Sequence, residues 1–300
     1  MGHMPSRGVV LIAVGDEVLG GYIADTNSHW LAGRLREAGF PVCRMEVVAD
    51  VTEDIVAAVR RAVADPYAAR VVVSGGLGPT PDDRTLEAVA QALALPLEVH
   101  PQALAHVQAI VDRMHAAGWV ATAEISSANR KMTLAPRGAL ILPNRRGMAS
   151  GIAVALHDAA GPGNGDATAV EHASAAETSH AVEPEHMRWL LLLPGVPREF
   201  RTLVEEEAIP RLFSGATAGT VVELVYRYAI EAQFTEPMEE LGVLFPDVKV
   251  GSYPQSDRRE LVIRVSGDDA TRVADAVARL RALQPLEAER PAQSRAVETS

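Results

Sequence analysis

Apolar residues follow two rhythms over the first two hundred residues of this 300-residue chain. Short β-branched runs that stop at a glycine or polar residue predict buried strands, and longer segments with apolar residues every three or four positions predict helices. The predicted strands are 9–14, 42–48, 71–73, 134–142, 151–156 and 190–193, and the predicted helices are 27–38, 52–65, one after Thr85, 100–115 and 197–212. This alternation predicts a three-layer α/β domain over residues 8–213, with a mostly parallel sheet between two layers of helices.

A second, shorter pattern follows a run of small residues at 214–219. The predicted strands of this part are 221–230, 248–253 and 260–266, and its predicted helices are 234–244 and 270–283. Two helices among three strands predict a small α+β domain, which we place at residues 220–286. Residues 287–300 are expected to form a polar tail.

Residues 157–188 interrupt the first pattern with a tract rich in alanine, glycine, histidine, glutamate and serine. Because this tract has no apolar period, we expect a flexible, solvent-exposed hairpin tip between two strands. Its histidines are scattered, so we interpret them as solvated side chains and not as a zinc site.

Charge and composition narrow the classes of function. The chain has 28 Lys+Arg against 39 Asp+Glu, a net charge of −11, and this balance argues against broad nucleic-acid binding. No segment has the apolar length of a membrane span, so we expect no membrane partner. Cys43 is the single cysteine, which fits a reducing cytoplasm, and its position in a predicted strand suggests a packed core thiol.

The segment from Val71 to Thr85 contains the most informative chemistry. A strand, three glycines and a helix start form a natural anion site, because free backbone N–H groups and the helix dipole point at one place. Gly75, Gly76, Gly78 and Thr80 are therefore candidate phosphate ligands. Two acidic residues follow this loop and would repel a bare phosphate unless a divalent cation such as Mg²⁺ lies between them.

Two other interpretations of this segment stay open. A Gly-Gly-x-Gly stretch also occurs in ordinary loops, and either aspartate of the pair Asp82 and Asp83 would serve as a helix cap. Neither Gly-x-x-x-x-Gly-Lys-Ser/Thr nor a Gly-x-Gly-x-x-Gly after the first strand is present, so the two common phosphate-binding motifs give no support.

Five ordered blocks resemble the CinA family, the competence/damage-inducible proteins. These blocks are residues 14–27 (VGDEVLGGYIADTN), 75–83 (GGLGPTPDD), 129–132 (NRKM), 142–144 (LPN) and 193–199 (LPGVPRE). The resemblance implies an N-terminal molybdopterin-binding domain of the MoaB/MogA-like type, followed by a KH-like α+β domain. It extends over roughly residues 8–285 and is stronger in the first domain than in the second.

The resemblance also implies a range of activities. The family's N-terminal domain is associated with metal-dependent hydrolysis of ADP-ribose, whereas related domains adenylylate or hold molybdopterin. Longer members have a C-terminal domain that deamidates nicotinamide mononucleotide; this chain stops before that domain, so we expect no deamidase activity. We expect a homodimer, with a trimer as the alternative.

The site residues follow from the loop chemistry and from the matched blocks. Asp82 and Asp83 are the expected metal ligands and catalytic carboxylates, and Glu17 is expected to enter the same cleft. The further expected ligand-binding residues are Asn27, Asn129, Lys131, Gly147, Gly151, Gly195 and Glu199. For Glu17 a surface loop, for Asn129 and Lys131 a solvated basic turn, and for Gly195 a purely structural turn are the alternatives.

One block departs from the family. Residues 147–151 read Gly-Met-Ala-Ser-Gly where the family usually shows Gly-Thr-Ala-Pro-Gly. Met148 removes a hydroxyl that would contact phosphate or metal, and Ser150 removes a rigid proline. A protein that binds molybdopterin or a nucleotide without catalysis is therefore the alternative function. Nucleic-acid binding through the second domain is not expected, because residues 221–286 contain no Gly-x-x-Gly.

Overall fold

The computed structural model describes residues 8–156 and 187–285. The chain divides into two compact units, and the boundary lies between Ala216 and Thr217. The expected hairpin tip lies outside the described residues apart from its last two, and the expected polar tail lies outside them entirely. Among the described residues, no helix has both the length and the apolarity needed to cross a bilayer.

The first unit contains a six-stranded sheet in the order β2-β1-β3-β8-β7-β6. Its strands are β1 (Gly8–Val14), β2 (Val42–Val48), β3 (Ala68–Ser74), β6 (Leu140–Leu142), β7 (Gly151–Leu156) and β8 (Arg188–Leu193), while β4 (Leu97–Val99) and β5 (Leu134–Pro136) form a separate antiparallel pair. The first four strands in that order run parallel. Strand β7 runs antiparallel to both of its neighbours. The predicted mostly parallel α/β sheet is confirmed.

Helices cover both faces of this sheet. They are α1 (Asp16–Leu19), α2 (Thr26–Glu37), α3 (Thr52–Ala64), α4 (Thr85–Ala92), α5 (Pro101–Ala116), α6 (Ser127–Arg130), α7 (Pro197–Leu203) and α8 (Ile209–Leu212). Val10 and Ile12 of β1 pack with α3, α4 and α5, whereas Leu11 packs with α2, α7 and α8. Alternate side chains of a strand point to opposite faces, so one apolar strand supplies two cores and forms the middle of three layers.

A buried arginine fixes the end of the first unit. Arg70 is 3% exposed, and its guanidinium lies against the rings of Phe40 and Phe213. It donates hydrogen bonds to the carbonyls of Leu212, Ala69 and Met187. Burial lowers the pKa of Arg70 to about 10. The charge is thus satisfied by carbonyl oxygens at the end of α8 and beside β8.

The second unit has the order β9-α9-β10-β11-α10. Its elements are β9 (Thr220–Arg227), α9 (Thr235–Leu244), β10 (Lys249–Gln255), β11 (Glu260–Gly267) and α10 (Ala270–Leu283). The three strands form an antiparallel sheet with β11 in the centre, and apolar residues of both helices pack on it. This is the second, small α+β domain that the sequence predicts.

Several predictions change in detail. Cys43 is exposed, not packed in the core, because β2 is an edge strand with one side open. Strand β9 ends at Arg227, three residues earlier than predicted, since Tyr228 adopts a left-handed φ of 56°. The predicted strand 134–142 is two strands separated by a turn at Gly138, which has a φ of 78°.

Candidate functional site

The carboxyl ends of β1, β2 and β3 meet at one edge of the sheet, because these strands are parallel and adjacent. Each strand is followed there by acidic residues: Asp16 and Glu17 after β1, Asp50 after β2, and Asp82 with Asp83 in the loop after β3. In open α/β sheets this edge is where ligands bind.

The loop after β3, residues 75–84, has a backbone that requires glycine in two places. Gly75 and Gly76 adopt φ values of 103° and 62°, where other residues are strained. A side chain would also collide with the Val14 carbonyl at Gly75 and with Thr85 at Gly76. Both glycines therefore let the loop turn tightly against the last residue of β1 and the first residue of α4.

The backbone donors of this loop are only partly free. The N–H of Gly75 donates to the carbonyl of Leu193 at 3.1 Å and is unavailable to a phosphate in this arrangement. Within the described part of the chain, the N–H groups of Gly76 and Gly78 have no hydrogen-bond partner. Two of the three predicted glycine donors are thus available.

The two loop aspartates have different environments. One carboxylate oxygen of Asp83 accepts from the backbone N–H of Thr80 at 2.8 Å and from its hydroxyl at 2.5 Å, so Asp83 closes a turn within the loop. Asp82 is exposed. The pKa of Asp82 is lowered, first by the nearby Thr80 hydroxyl, although the proton of that hydroxyl is directed to Asp83 in this geometry, and further by the charges of Lys131 and Arg84. Neither aspartate caps α4, whose N-terminus has no side-chain cap.

Lys131 reaches the same loop from the segment after α6. Its ammonium group donates to the carbonyls of Asp83 and Thr80 and lies 3.6 Å from a carboxylate oxygen of Glu87. The structure therefore brings this predicted cation to the loop. Asn129, two residues earlier, is half-buried in α6, where its backbone N–H is capped by the Ser126 hydroxyl.

Asp50 extends the acidic edge and was not predicted from the sequence. Its carboxylate accepts from the backbone N–H of Asp16 at 2.8 Å. The pKa of Asp50 is raised, chiefly by burial and also by the negative charges of Asp16, Glu17 and Asp82. The acid after β2 follows the same strand-end pattern as the acids after β1, which is the signal that would have found it.

The Glu17 side chain folds towards Gly15, the residue that follows β1. A side chain at Gly15 would come within 2.8 Å of the Glu17 carboxylate oxygens, so the carboxylate is in contact with that glycine. Among residues 8–156 and 187–285, no three Asp, Glu, His or Cys side chains are close enough together to hold a metal ion. The carboxylates share an edge of the sheet without forming a complete cage.

Asn27 of α2 and Gly195, which follows β8, lie beside the loop after β3. The Asn27 amide donates to the Gly195 carbonyl at 2.8 Å, and Gly195 packs on the backbone of Gly75. Asn27 is 8% exposed, and its amide oxygen is buried without a hydrogen-bond partner in the described residues. These two predicted residues therefore lie beside the glycine turn.

Asn144 organises a second loop, residues 143–150, and was also missed as a site residue. Its amide donates to the Ala149 carbonyl and to the Glu199 carboxylate at 2.8 Å each, and its oxygen accepts from the N–H groups of Arg146 and Gly147. A side chain at Gly147 would collide with Glu199. The ring of His106 hydrogen bonds to the Gly147 carbonyl at 3.0 Å. The buried amide thus joins this loop to α7, and His106 joins the loop to α5.

The residues that depart from the family have structural surroundings of their own. Met148 packs on an apolar cluster with Val107, Val111 and Met132. Ser150 is 5% exposed, with a buried hydroxyl that has no partner in the described residues. Gly151 is the first residue of β7 and packs against Leu142 and Leu193 inside the sheet.

Two cavities lie on either side of this second loop. A cavity of about 20 Å³, enough for one water, is lined by Gly76 and Lys131 from one side and by Ser150 from the other. An open cleft of about 660 Å³ lies between α5 and residues 143–148 and contains three arginines. The first cavity connects the second loop to the glycine turn.

A family model described as a probable molybdopterin binding domain matches residues 10–214. The fold and the glycine turn at the carboxyl edge of the sheet thus define a protein of the molybdopterin-binding-domain class. Residues 220–292 match a second model, described as the middle domain of FAD synthase.

Comparisons with individual proteins give the family. A CinA-like protein of Geobacter sp. (strain M21) is 32% identical over 274 residues, which cover 91% of this chain and 57% of that relative. Protein PYRAB15930 of Pyrococcus abyssi is 33% identical over 261 residues, which cover 86% of this chain and 90% of that relative. The chain belongs to the family of CinA-like proteins, as the sequence blocks predicted.

A solved structure agrees with this assignment. The crystal structure of CinA from Thermoplasma acidophilum, a protein described there as of unknown function, matches with a TM-score of 0.52 and 26% identity, covering 69% of this chain and 98% of that one. The chain spans about half the length of the curated CinA-like relatives, from 40% to 57%.

Proposed function

We propose that this chain is a Mg²⁺-dependent hydrolase of a nucleotide pyrophosphate, with ADP-ribose as the expected substrate. The observation that carries the proposal is the position of Asp82. This exposed carboxylate lies in a glycine loop that also offers two N–H groups without a partner in the described residues and the ammonium group of Lys131. Negative and positive groups at one loop suit a ligand that combines phosphate with a divalent cation.

The phosphate would be bound by the backbone. The N–H groups of Gly76 and Gly78 are free in the described residues, and the absence of a side chain at each lets an anion approach closely. Lys131 would balance the phosphate charge by releasing one of its carbonyl contacts at the loop. Asp83 would act indirectly, because its bonds to Thr80 hold the loop in this shape.

The acidic edge fits a magnesium ion that arrives with its substrate. Mg²⁺ is usually held by one or two carboxylates together with phosphate oxygens and waters, so it does not need a cage of three protein ligands. Asp82 and one acid from the ends of β1 or β2, Glu17 or Asp50, would hold it. The pKa of Asp50 is raised chiefly by burial and in smaller part by the negative charges of Asp16, Glu17 and Asp82, and a bound cation would relieve that repulsion. When bound, Mg²⁺ would neutralise the pyrophosphate and polarise the attacking water.

The test is turnover of ADP-ribose, followed as AMP and ribose 5-phosphate by chromatography with Mg²⁺ or with EDTA. The proposal predicts product only with the metal, and a loss of at least a hundredfold in kcat/KM for Asp82→Asn. Asp275→Asn, an exposed aspartate on α10 in the second unit, is the matched control and should leave kcat/KM unchanged. Product formed equally in EDTA, or by Asp82→Asn, would rule out this mechanism.

A non-catalytic binding protein for molybdopterin or a nucleotide is the second candidate. Met148 is committed to an apolar cluster, the N–H of Gly147 is taken by Asn144, and one oxygen of Asp83 is taken by Thr80. These three groups are engaged in contacts within the protein and are therefore not free to take part in a catalytic step. Saturable binding of ligand without product over hours would favour this candidate, and rapid hydrolysis would eliminate it.

A further inference from the structure

The open cleft beside the second loop is formed by one face of α5 and by residues 143–148. His106, Ile110 and Arg113 lie four and three residues apart, so they share one face of the helix. Arg145, Arg146 and Met148 face them from the loop. With a volume of about 660 Å³, the cleft has the size of ordinary small-molecule sites.

Positive charge is concentrated in this cleft although the chain carries a net charge of −11. Within the described part of the chain, the guanidinium groups of Arg113 and Arg146 take part in no hydrogen bond or ion pair. Arg145 is partly neutralised, because it lies 3.5 Å from a carboxylate oxygen of Glu206. Two arginines on facing walls of the cleft, without a partner among the described residues, favour a bound anion.

The walls also have an apolar part and a fixed shape. Ile110 and Met148 line the cleft beside the arginines. The loop cannot shift freely, because the buried Asn144 holds the backbone N–H groups of Arg146 and Gly147, and His106 holds the Gly147 carbonyl. Planar guanidinium groups match phosphate oxygens in bidentate geometry, whereas aliphatic side chains suit a flat ring.

We propose that this cleft binds a nucleoside monophosphate, with Arg113 and Arg146 on the phosphate and Ile110 and Met148 against the base. The site is separate from the Asp82 loop, and neither metal nor hydrolysis is part of the proposal. It therefore goes beyond the proposed function and does not depend on it. Since both arginines are exposed, the affinity should fall as salt concentration rises.

The test is isothermal titration calorimetry with AMP in the presence of EDTA, which removes any contribution from a metal site. The proposal predicts saturable binding that is about tenfold weaker in Arg113→Gln and in Arg146→Gln, and weaker again in the double variant. Arg60→Gln, an exposed arginine on α3 outside the cleft, is the matched control and should bind AMP like the unmodified chain.

Adenosine and inorganic phosphate distinguish the two parts of the ligand. Adenosine should bind at least tenfold more weakly than AMP if the arginines hold the phosphate, and inorganic phosphate should bind more weakly than AMP if the base contributes. No binding of AMP, or equal affinity in the double arginine variant, would overturn the proposal. Phosphate that binds as tightly as AMP would overturn the assignment of a nucleoside.

Discussion

The carboxylate of Glu199 occupies the space that a side chain at Gly147 would need. The two residues are 52 positions apart, and the buried amide of Asn144 holds the carboxylate in place at 2.8 Å. Glycine at this position is therefore explained by the close approach of an acidic side chain from α7. The shape of the second loop depends on this contact.

Gly147→Ala tests that contact. The new methyl group would push Glu199 aside and break its charged hydrogen bond with Asn144, at a cost of about 1–2 kcal/mol in the free energy of unfolding. Urea unfolding gives this value directly. In a Glu199→Ala background the same substitution should cost almost nothing, because the carboxylate that the methyl group would meet is absent. Gly33→Ala, at an open helical position, is the control and should stabilise the protein by about 0.5–1 kcal/mol; equal costs of Gly147→Ala in both backgrounds would refute the contact.

Asn144 should be far more important for stability than Asn129, which the sequence analysis predicted as a ligand-binding residue. It is 1% exposed and makes four hydrogen bonds, so Asn144→Ala removes the partner of two backbone donors and of two acceptors, all partly buried. The expected loss is about 2–4 kcal/mol by urea unfolding. Asn129→Ala serves as the comparison, with an expected change below about 0.5 kcal/mol, since the Asn129 side chain has no partner in the described residues. Similar losses for the two variants would contradict this account of the loop.

Asp50 should destabilise the metal-free protein at neutral pH. Its pKa is raised in the folded chain by burial and by neighbouring acids, so the neutral form is favoured by folding. The stability from neutral Asp50 is complete below its unfolded pKa and is lost as pH rises through the folded value. Asp50→Asn should therefore raise the free energy of unfolding, measured with urea, at pH 7 but not near pH 3. The increase should be less than about 1 kcal/mol, because solvent screens the group. Added Mg²⁺ should stabilise the unmodified protein more than the variant; the opposite order would remove Asp50 from the metal site.

Two substitutions at Arg70 distinguish the contribution of its packing to stability from that of its charged hydrogen bonds. Arg70→Ala would open space between Phe40 and Phe213 and remove the hydrogen bonds to three carbonyls, at a cost of about 3 kcal/mol or more. Arg70→Met fills most of that volume without a buried charge, so about 1–2 kcal/mol is expected. Thermal unfolding of both variants provides the comparison. A methionine variant as unstable as the alanine variant would mean that the hydrogen bonds, and not the packing, dominate.

The sequence was sufficient for the sheet and for the glycine turn because both depend on local signals. Apolar runs that end in glycine marked β1 and β3, and the adjacent carboxylates marked the edge where those strands end. The availability of donors was not predictable in this way. The N–H of Gly75 is taken by Leu193, a residue 118 positions away, and only the arrangement of β3 beside β8 brings the two together.

The second loop shows the same limit. Asn144 stood within a recognised block, yet nothing local indicates that its amide joins Gly147 to Glu199. The basic cleft was missed for a similar reason, since Arg113 and Arg146 are far apart in sequence and become neighbours only when α5 packs beside the loop. Exposure of Cys43 depends on β2 being an edge strand, which follows from strand order and not from composition.

The central claim is that the glycine loop binds a pyrophosphate through a divalent cation held by Asp82. Calorimetric titration with the α,β-methylene analogue of ADP-ribose tests this most directly, because the analogue cannot be hydrolysed and binding is measured apart from turnover. The account predicts binding that requires Mg²⁺, is lost in EDTA, and is weakened at least tenfold by Asp82→Asn but not by Asp275→Asn. Equal affinity with Mg²⁺ and with EDTA, or an Asp82→Asn variant that binds like the unmodified chain, would contradict it.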